Sequence, residues 1–244
     1  MNCISLGYFC SIAIDLEKLG LRKESSPFDW TISDLVGVIY AIENNFNGFL
    51  EEEFLCQSKL NRSHYQNIRY GVQFFHDFDA YRPLSEQLPL VQEKYDRRIK
   101  RFYKSISEPT LFIRYISDEE KHNGVSVELL WIEEHYRDIV RLLKSFNKEN
   151  EIIFIANSGV NSSVVEIYHV EKDNNDTVCR MPIFSCGELM NVLSSIEVED
   201  KEKNIERYLK KEKERRSIIY TLKKKLKTMI QKAFLTEYHH TQEY

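Results

Sequence analysis

The residue best suited to chemistry in this sequence is Cys10. It closes the stretch Gly7-Tyr8-Phe9-Cys10, which follows an apolar run from Asn2 to Leu6. From Ser11 the pattern changes, and Ile12, Leu16 and Leu19 recur at helical spacing up to Gly20. The first run reads as a buried strand, and the second as a helix with a glycine C-cap. Cys10 is therefore expected near a helix N-terminus. There the macrodipole and free N–H groups lower a thiol's pKa and can hold an oxyanion. Gly7 would let the chain turn tightly and let a substrate approach the backbone. The plainer alternative is a buried structural cysteine.

A thiol nucleophile needs a base, and seven histidines are available. His239 and His240 fall in a polar tail, and His122 and His135 lie in or beside a charged helix. His64 and His169 have little context. His76 follows the apolar run Gly71 to Phe75 and precedes Asp77 and Asp79. A histidine at a strand end with a carboxylate to fix its tautomer suits general-base work. Asp77 is its immediate neighbour and would point elsewhere on a strand, which leaves Asp79 or the distant Asp29 as the orienting acid. A surface-loop histidine is the alternative.

Ser26-Pro27-Phe28-Asp29-Trp30 sets an acid between two aromatic residues. A buried Asp29 needs a partner, for which Arg22, Arg114 and the catalytic histidine are candidates. Equally, Asp29 could accept backbone N–H groups in a turn. Arg97 and Arg101 are four apart on one helix face, beside Arg98 and Lys100. Arg114 stands inside an apolar strand, so its charge must be paired or used. Such cations suit a phosphate, a pyrophosphate or an acidic sugar. Glu93, Asp96 and Glu108 offer the helix cluster a solvated ion-pairing face instead. The expected substrate-binding set is Gly7, Arg22, Ser26, Trp30, Arg97, Arg101 and Arg114.

These residues must be positioned by a scaffold. Beyond the first strand and helix, Thr31 or Ser33 caps a helix through about Asn44, and residues 46–70 look irregular. Gly71 to Phe75 is an expected strand, Leu90 to Ser105 a helix, and Thr110 to Ile116 a strand. Val127 to Phe146 is an amphipathic helix and Glu151 to Ala156 an almost wholly apolar strand. Strand, helix and buried strand in succession predict a parallel βαβ unit. Val164 to Val170 and Arg180 to Phe184 read as further strands, and Cys186 to Leu193 as a short helix. The sum is an α/β fold, an open and mostly parallel sheet flanked by helices in three layers. An α+β papain-like arrangement is the alternative.

The 244 residues carry 42% hydrophobic side chains, enough to fill a core. The net charge of −4 conceals a split: residues 1–200 sum to −11 and residues 201–235 to +9. The division expected is a catalytic body, 1–198, and a basic helical arm with a polar tail, 199–244. In the arm Ile205, Leu209, Ile218, Ile219, Leu222, Leu226, Met229 and Ile230 make a discontinuous apolar stripe. It could lie on anionic lipid or pack as a partner helix in a homo-oligomer. Nucleic acid is not an expected partner, because the body is acidic and holds no recognised binding motif.

Five cysteines with no C-x-x-C pair predict free thiols and no metal site. No cofactor is expected, since the glycine-rich dinucleotide and P-loop signatures are absent, as are the serine-hydrolase elbow and the zinc-protease motif. The N-terminus lacks a basic region before its apolar stretch. A cytoplasmic location is expected, with the arm at the inner face of the membrane.

Taken in order, Ile4 to Cys10, Ala13, Leu19 to Arg22, Ser26 to Trp30, Phe75 to Phe78, Arg97 to Phe102 and Leu111 to Arg114 resemble a bacterial family catalogued as papain-like cysteine peptidases. The resemblance covers residues 3–160 and stops short of the arm. It implies Cys10 as nucleophile and His76 as base, with Asp77, Asp79 or Asp29 as third member. It also implies hydrolysis of a peptide or amide, in a setting of capsule and lipopolysaccharide genes. The strand directly before Cys10 also resembles the open α/β sheets of SGNH-type esterases and polysaccharide acyltransferases. The expected function is thus a cysteine-dependent acyl-transfer enzyme, a peptidase or amidase or an acyltransferase, acting in surface polysaccharide biosynthesis, with a phosphate-bearing or sugar-linked small molecule as its expected substrate. A sugar transferase using a nucleotide- or lipid-diphosphate donor, with Cys10 structural, and a non-enzymatic scaffold are the alternatives.

Overall fold

A computed structural model describes residues 1–172 and 178–240, with side chains through Leu222. Four parallel strands form the central sheet: β1 (Asn2–Ser5), β6 (Thr110–Tyr115), β9 (Glu151–Asn157) and β10 (Ile167–Val170), adjacent in that order. Between β1 and β6 come α1 (Ser11–Lys18), β2 (Thr31–Ile32), α2 (Leu35–Glu43), β3 (Leu55–Gln57), β4 (Tyr65–Asn67), β5 (Val72–Phe74) and α3 (Leu84–Ile106). A two-strand ribbon, β7 (Lys121–His122) and β8 (Val125–Ser126), precedes α4 (Val127–Phe146). After β10 follow α5 (Pro182–Ser185), α6 (Gly187–Ser194) and α7 (Lys201–His240).

The alternation of side chains along the strands divides the interior in two. Ile4, Phe112, Phe154 and Ala156 face a core shared with α2, α3 and α4. Cys3, Leu111, Ile113, Tyr115 and Ile155 face a second core with α1, α5 and α6. Successive side chains on a strand point to opposite faces, so apolar strands of this kind bury both. The three-layer α/β architecture is the one the apolar runs predict.

Four local expectations are corrected. Residues 46–70 are not irregular throughout: β3 and β4 join β5 and β2 in an antiparallel sheet, ordered β2-β5-β4-β3. Its hairpin turn is fixed by buried Asn67, which donates to Gly48 O and Phe49 O and accepts from the N–H groups of Arg69 and Tyr70. Helix α3 starts at Leu84, and Pro89 falls within it rather than before it. Arg180 to Phe184 is no strand; Pro182 opens α5 there, where its missing N–H costs nothing. Neither Thr31 nor Ser33 caps α2, whose Leu35 N–H instead donates to Glu128 Oε1 at 2.7 Å.

Candidate active site

Cys10 occupies the N-cap position of α1, just past the C-terminal end of β1, and is partly exposed. Its carbonyl accepts from Ile14 N–H at 3.0 Å, which begins the helix. The first N–H groups of a helix have no partner within it. The side chain of Ser11, next to Cys10, is buried with its hydroxyl unpartnered. A helix N-terminus favours a thiolate, yet burial pushes the Cys10 thiol up, offset in part by its own backbone N–H. Burial thus opposes the lowering expected from a helix N-terminus, and a base beside Cys10 would favour its thiolate.

The turn leading to Cys10 is built around Gly7, at φ +80°. A Cβ there would come within 2.8 Å of Ser33 Oγ and 3.1 Å of Arg114 Nη1. Arg114 fills that space. Its Nη1 donates to Leu6 O at 2.7 Å and its Nη2 to Ser33 O at 2.6 Å, and Nη2 also pairs with Glu128. Glu128 Oε2 accepts from Ser117 N–H at 2.5 Å. Burial pushes the Glu128 carboxyl up, against the pull of Arg114 and of the N–H groups it accepts from. The pair thus ties the ends of β1, β2 and β6 to the starts of α2 and α4. Arg114 spends its charge inside the fold instead of presenting it to a ligand.

His76 lies two residues beyond β5 and is itself exposed, in an irregular segment whose Phe78 is buried. Its ring meets Trp30 edge to face, with centroids 6.3 Å apart. Tyr8 bridges to Ser33, and Thr31 pairs with Phe74, so the Cys10 turn and the His76 segment extend from opposite sides of β2. No hydrogen bond joins His76 to Cys10 or to a carboxylate among the described residues. The three candidate acids are engaged elsewhere. Asp77 pairs with Lys94 and accepts from Tyr95 Oη at 2.9 Å. Asp79 accepts from Tyr81 N–H at 2.8 Å.

Asp29 is fully buried, and Arg22, not Arg114, is its partner, at 2.5 Å. Asp29 Oδ2 also accepts from Ser26 N–H at 2.9 Å, so both sequence expectations for this acid hold together. Burial pushes its carboxyl up, although Arg22 and Ser26 pull it down. Its Oδ1 has no hydrogen-bond partner, nor has Arg98 Nη1, whose charge is close enough to act on it. Arg22 also pairs with Glu17 and lies over the Trp30 ring at 5.6 Å. Cys10, Ile14 and Glu17 recur at the spacing of one helix face. A chain of contacts thus runs from the far end of the Cys10 helix through Glu17, Arg22 and Trp30 to His76.

The expected anion cluster does not assemble. Arg97 pairs with Glu93, and Arg101 with Glu24 at 3.1 Å. Ser26 and Arg101 line a cleft of about 310 Å³ with Cys3 and Phe102. That cleft lies along β1, whereas Cys10 follows the strand's other end. Reading the sequence missed three groups at the strand ends. The Tyr8 ring lies under the Arg114 guanidinium at 5.9 Å, and Asn157 accepts from Tyr115 Oη at 2.5 Å and donates to Asp118 at 2.9 Å. Their position just after apolar strands was the available signal, since ligands of parallel sheets gather there.

A family model described as "Putative papain-like cysteine peptidase (DUF1796)" matches residues 1–156. The chain is 35% identical over 193 residues to an uncharacterized protein, R408, of Acanthamoeba polyphaga mimivirus, covering 70% of this chain and 84% of that one. No solved structure matches.

Proposed function

Because the chain belongs to this family of papain-like cysteine peptidases, we propose that it is a cysteine-dependent hydrolase of peptide or amide bonds, with Cys10 as nucleophile and His76 as base. The observation that carries the reading is the place of Cys10, partly exposed at the N-terminus of α1 and at the end of β1. His76 takes the Sγ proton, and the sulfur attacks the carbonyl carbon. The oxyanion formed faces the first N–H groups of α1. His76 returns the proton to the departing amine, and water then hydrolyses the thioester with His76 again as base. Trp30 and Arg22 hold the wall behind His76.

The reading requires the His76 segment to close on Cys10 when substrate binds, and catalytic hydrogen bonds are commonly longer in the free enzyme. Transfer of the same acyl group to an acceptor other than water is chemically adjacent. The diphosphate-binding alternative has little to stand on, because Arg97, Arg101 and Arg114 are each paired with a carboxylate. The relative found is viral, so it lends no support to a capsule or lipopolysaccharide setting.

Labelling with a peptidyl electrophile, which occupies the site as a substrate does and so lets the His76 segment close on Cys10, tests the reading, with exposed Cys56 as an internal control. Cys10 should react faster than Cys56 at neutral pH, and His76→Ala should slow it by about 100-fold, the lower range for a general base. Equal rates at the two cysteines, untouched by His76→Ala, would reject it.

A further inference from the structure

Helix α7 is docked at its start and, among the described side chains, exposed from Lys213 to Leu222. Asn204 Nδ2 donates to Gly20 O at 3.2 Å, and Lys211 Nζ pairs with Glu17 at 2.9 Å. Ile205 packs where Gly20 lacks a side chain; a Cβ there would lie 2.7 Å from Ile205 Cγ1. From Lys213 to Leu222 every residue is exposed. Among them are large apolar side chains, with Ile218 60%, Ile219 42% and Leu222 59% exposed. At about 100° per residue these three fall within one quadrant or little more of the helix. Leu226, Met229 and Ile230 continue the same spacing in the sequence. Basic residues accompany it in the sequence: Lys213, Arg215 and Arg216 before, then Lys223, Lys224, Lys225 and Lys227; Arg215 and Arg216 share the single carboxylate of Glu212, at 3.0 and 3.9 Å, so the run keeps an excess of positive charge.

An apolar stripe bordered by cations is the pattern of a helix lying in the interface of a charged bilayer. A second copy of the same arm would bring two segments of like charge together, each +9 over residues 201–235. An anionic surface complements that charge. We propose that α7, from Lys213 onward, docks on an anionic lipid bilayer. Ile218, Ile219 and Leu222 enter the boundary between headgroups and acyl chains, and the arginines and lysines meet lipid phosphates. Gly20, Ile205 and the Lys211–Glu17 pair would then fix the body relative to that surface. The inference is independent of the hydrolase reading.

Sedimentation of the full chain with phosphatidylglycerol vesicles, against phosphatidylcholine vesicles, tests it. Binding is expected with the anionic vesicles alone and should weaken as salt is raised. Arg215→Ala with Arg216→Ala should weaken it roughly 25-fold, about fivefold for each charge. Ile218→Glu, Ile219→Glu and Leu222→Glu together should abolish it. These side chains are exposed, so thermal unfolding of each variant should match the parent. Failure to sediment, equal binding to neutral vesicles or an unaffected triple variant would overturn the proposal. So would a dimer, seen without lipid in analytical ultracentrifugation, that the triple variant dissociates.

Discussion

The imidazole of His76 meets the indole of Trp30 edge to face at 6.3 Å between ring centroids, and the same indole carries the Arg22 guanidinium on it at 5.6 Å. Trp30 therefore stands between the candidate base and the buried Arg22–Asp29 pair. Its role in the proposed chemistry is to position His76. Trp30→Ala should slow Cys10 labelling at neutral pH about tenfold, a fraction of the general-base effect, and Trp30→Phe should restore most of it. Labelling kinetics of the three proteins, followed by mass spectrometry, check this.

The raised pKa of Cys10 gives labelling a defined pH dependence. Burial disfavours its thiolate relative to that of an exposed, ordinary thiol. Labelling in a His76→Ala background should therefore rise monotonically with pH, with a midpoint above that of a free cysteine. A midpoint below neutrality in the variant would contradict the burial effect.

Arg114 and Glu128 are both buried, with side chains 0% and 5% exposed. Removing one member leaves an uncompensated charge, which costs about 3–5 kcal/mol. Arg114→Met or Glu128→Leu alone should lower urea-unfolding stability by that amount. The double variant should recover part of it. It will not recover all, because Leu6 O, Ser33 O and the N–H groups of Leu35 and Ser117 lose their partners as well.

Gly7→Ala places a Cβ in a left-handed backbone and against Ser33 and Arg114. The conformational part alone is about 1–2 kcal/mol. The variant should be destabilised by at least that much in urea, and Cys10 labelling should change although the thiol itself is intact.

Glu17 carries the link between α7 and α1. Burial alone would raise its pKa, but Arg22 and Lys211 outweigh that and hold it below the usual carboxylate range. A carboxyl depressed in the folded state adds stability above its unfolded pKa, and that stability is lost as pH falls through the folded value. Protease resistance of the Lys201–Lys211 segment should therefore decline as pH drops below about 4.5, the ordinary value. Glu17→Gln should show the weaker protection at neutral pH and a flatter response to acid.

Much of the scaffold was legible because it is written locally. The runs Thr110–Tyr115 and Glu151–Asn157 are apolar on both faces, and Val127–Phe146 repeats with helical period, so strand, helix and strand follow from spacing. The place of Cys10 follows too, since the change of period from strand to helix falls on it. The small antiparallel sheet was not legible. Its strands are two or three residues long, too short to show alternation, and its turn depends on the four hydrogen bonds of Asn67.

The sequence by itself determined the two-faced parallel sheet, the helix that begins at Cys10 and the charge step near residue 200. These depend on neighbours a few positions apart, where period and propensity act. Only the tertiary structure decided which partner each buried charge takes. Asp29 chooses Arg22, seven residues away, while Arg114 meets groups 108, 81 and 14 residues distant. It also decided that His76 stands beside Trp30 with no hydrogen bond to Cys10. Such choices rest on desolvation, which makes every buried charge take whichever partner the packing brings within reach, and no local pattern encodes that distance.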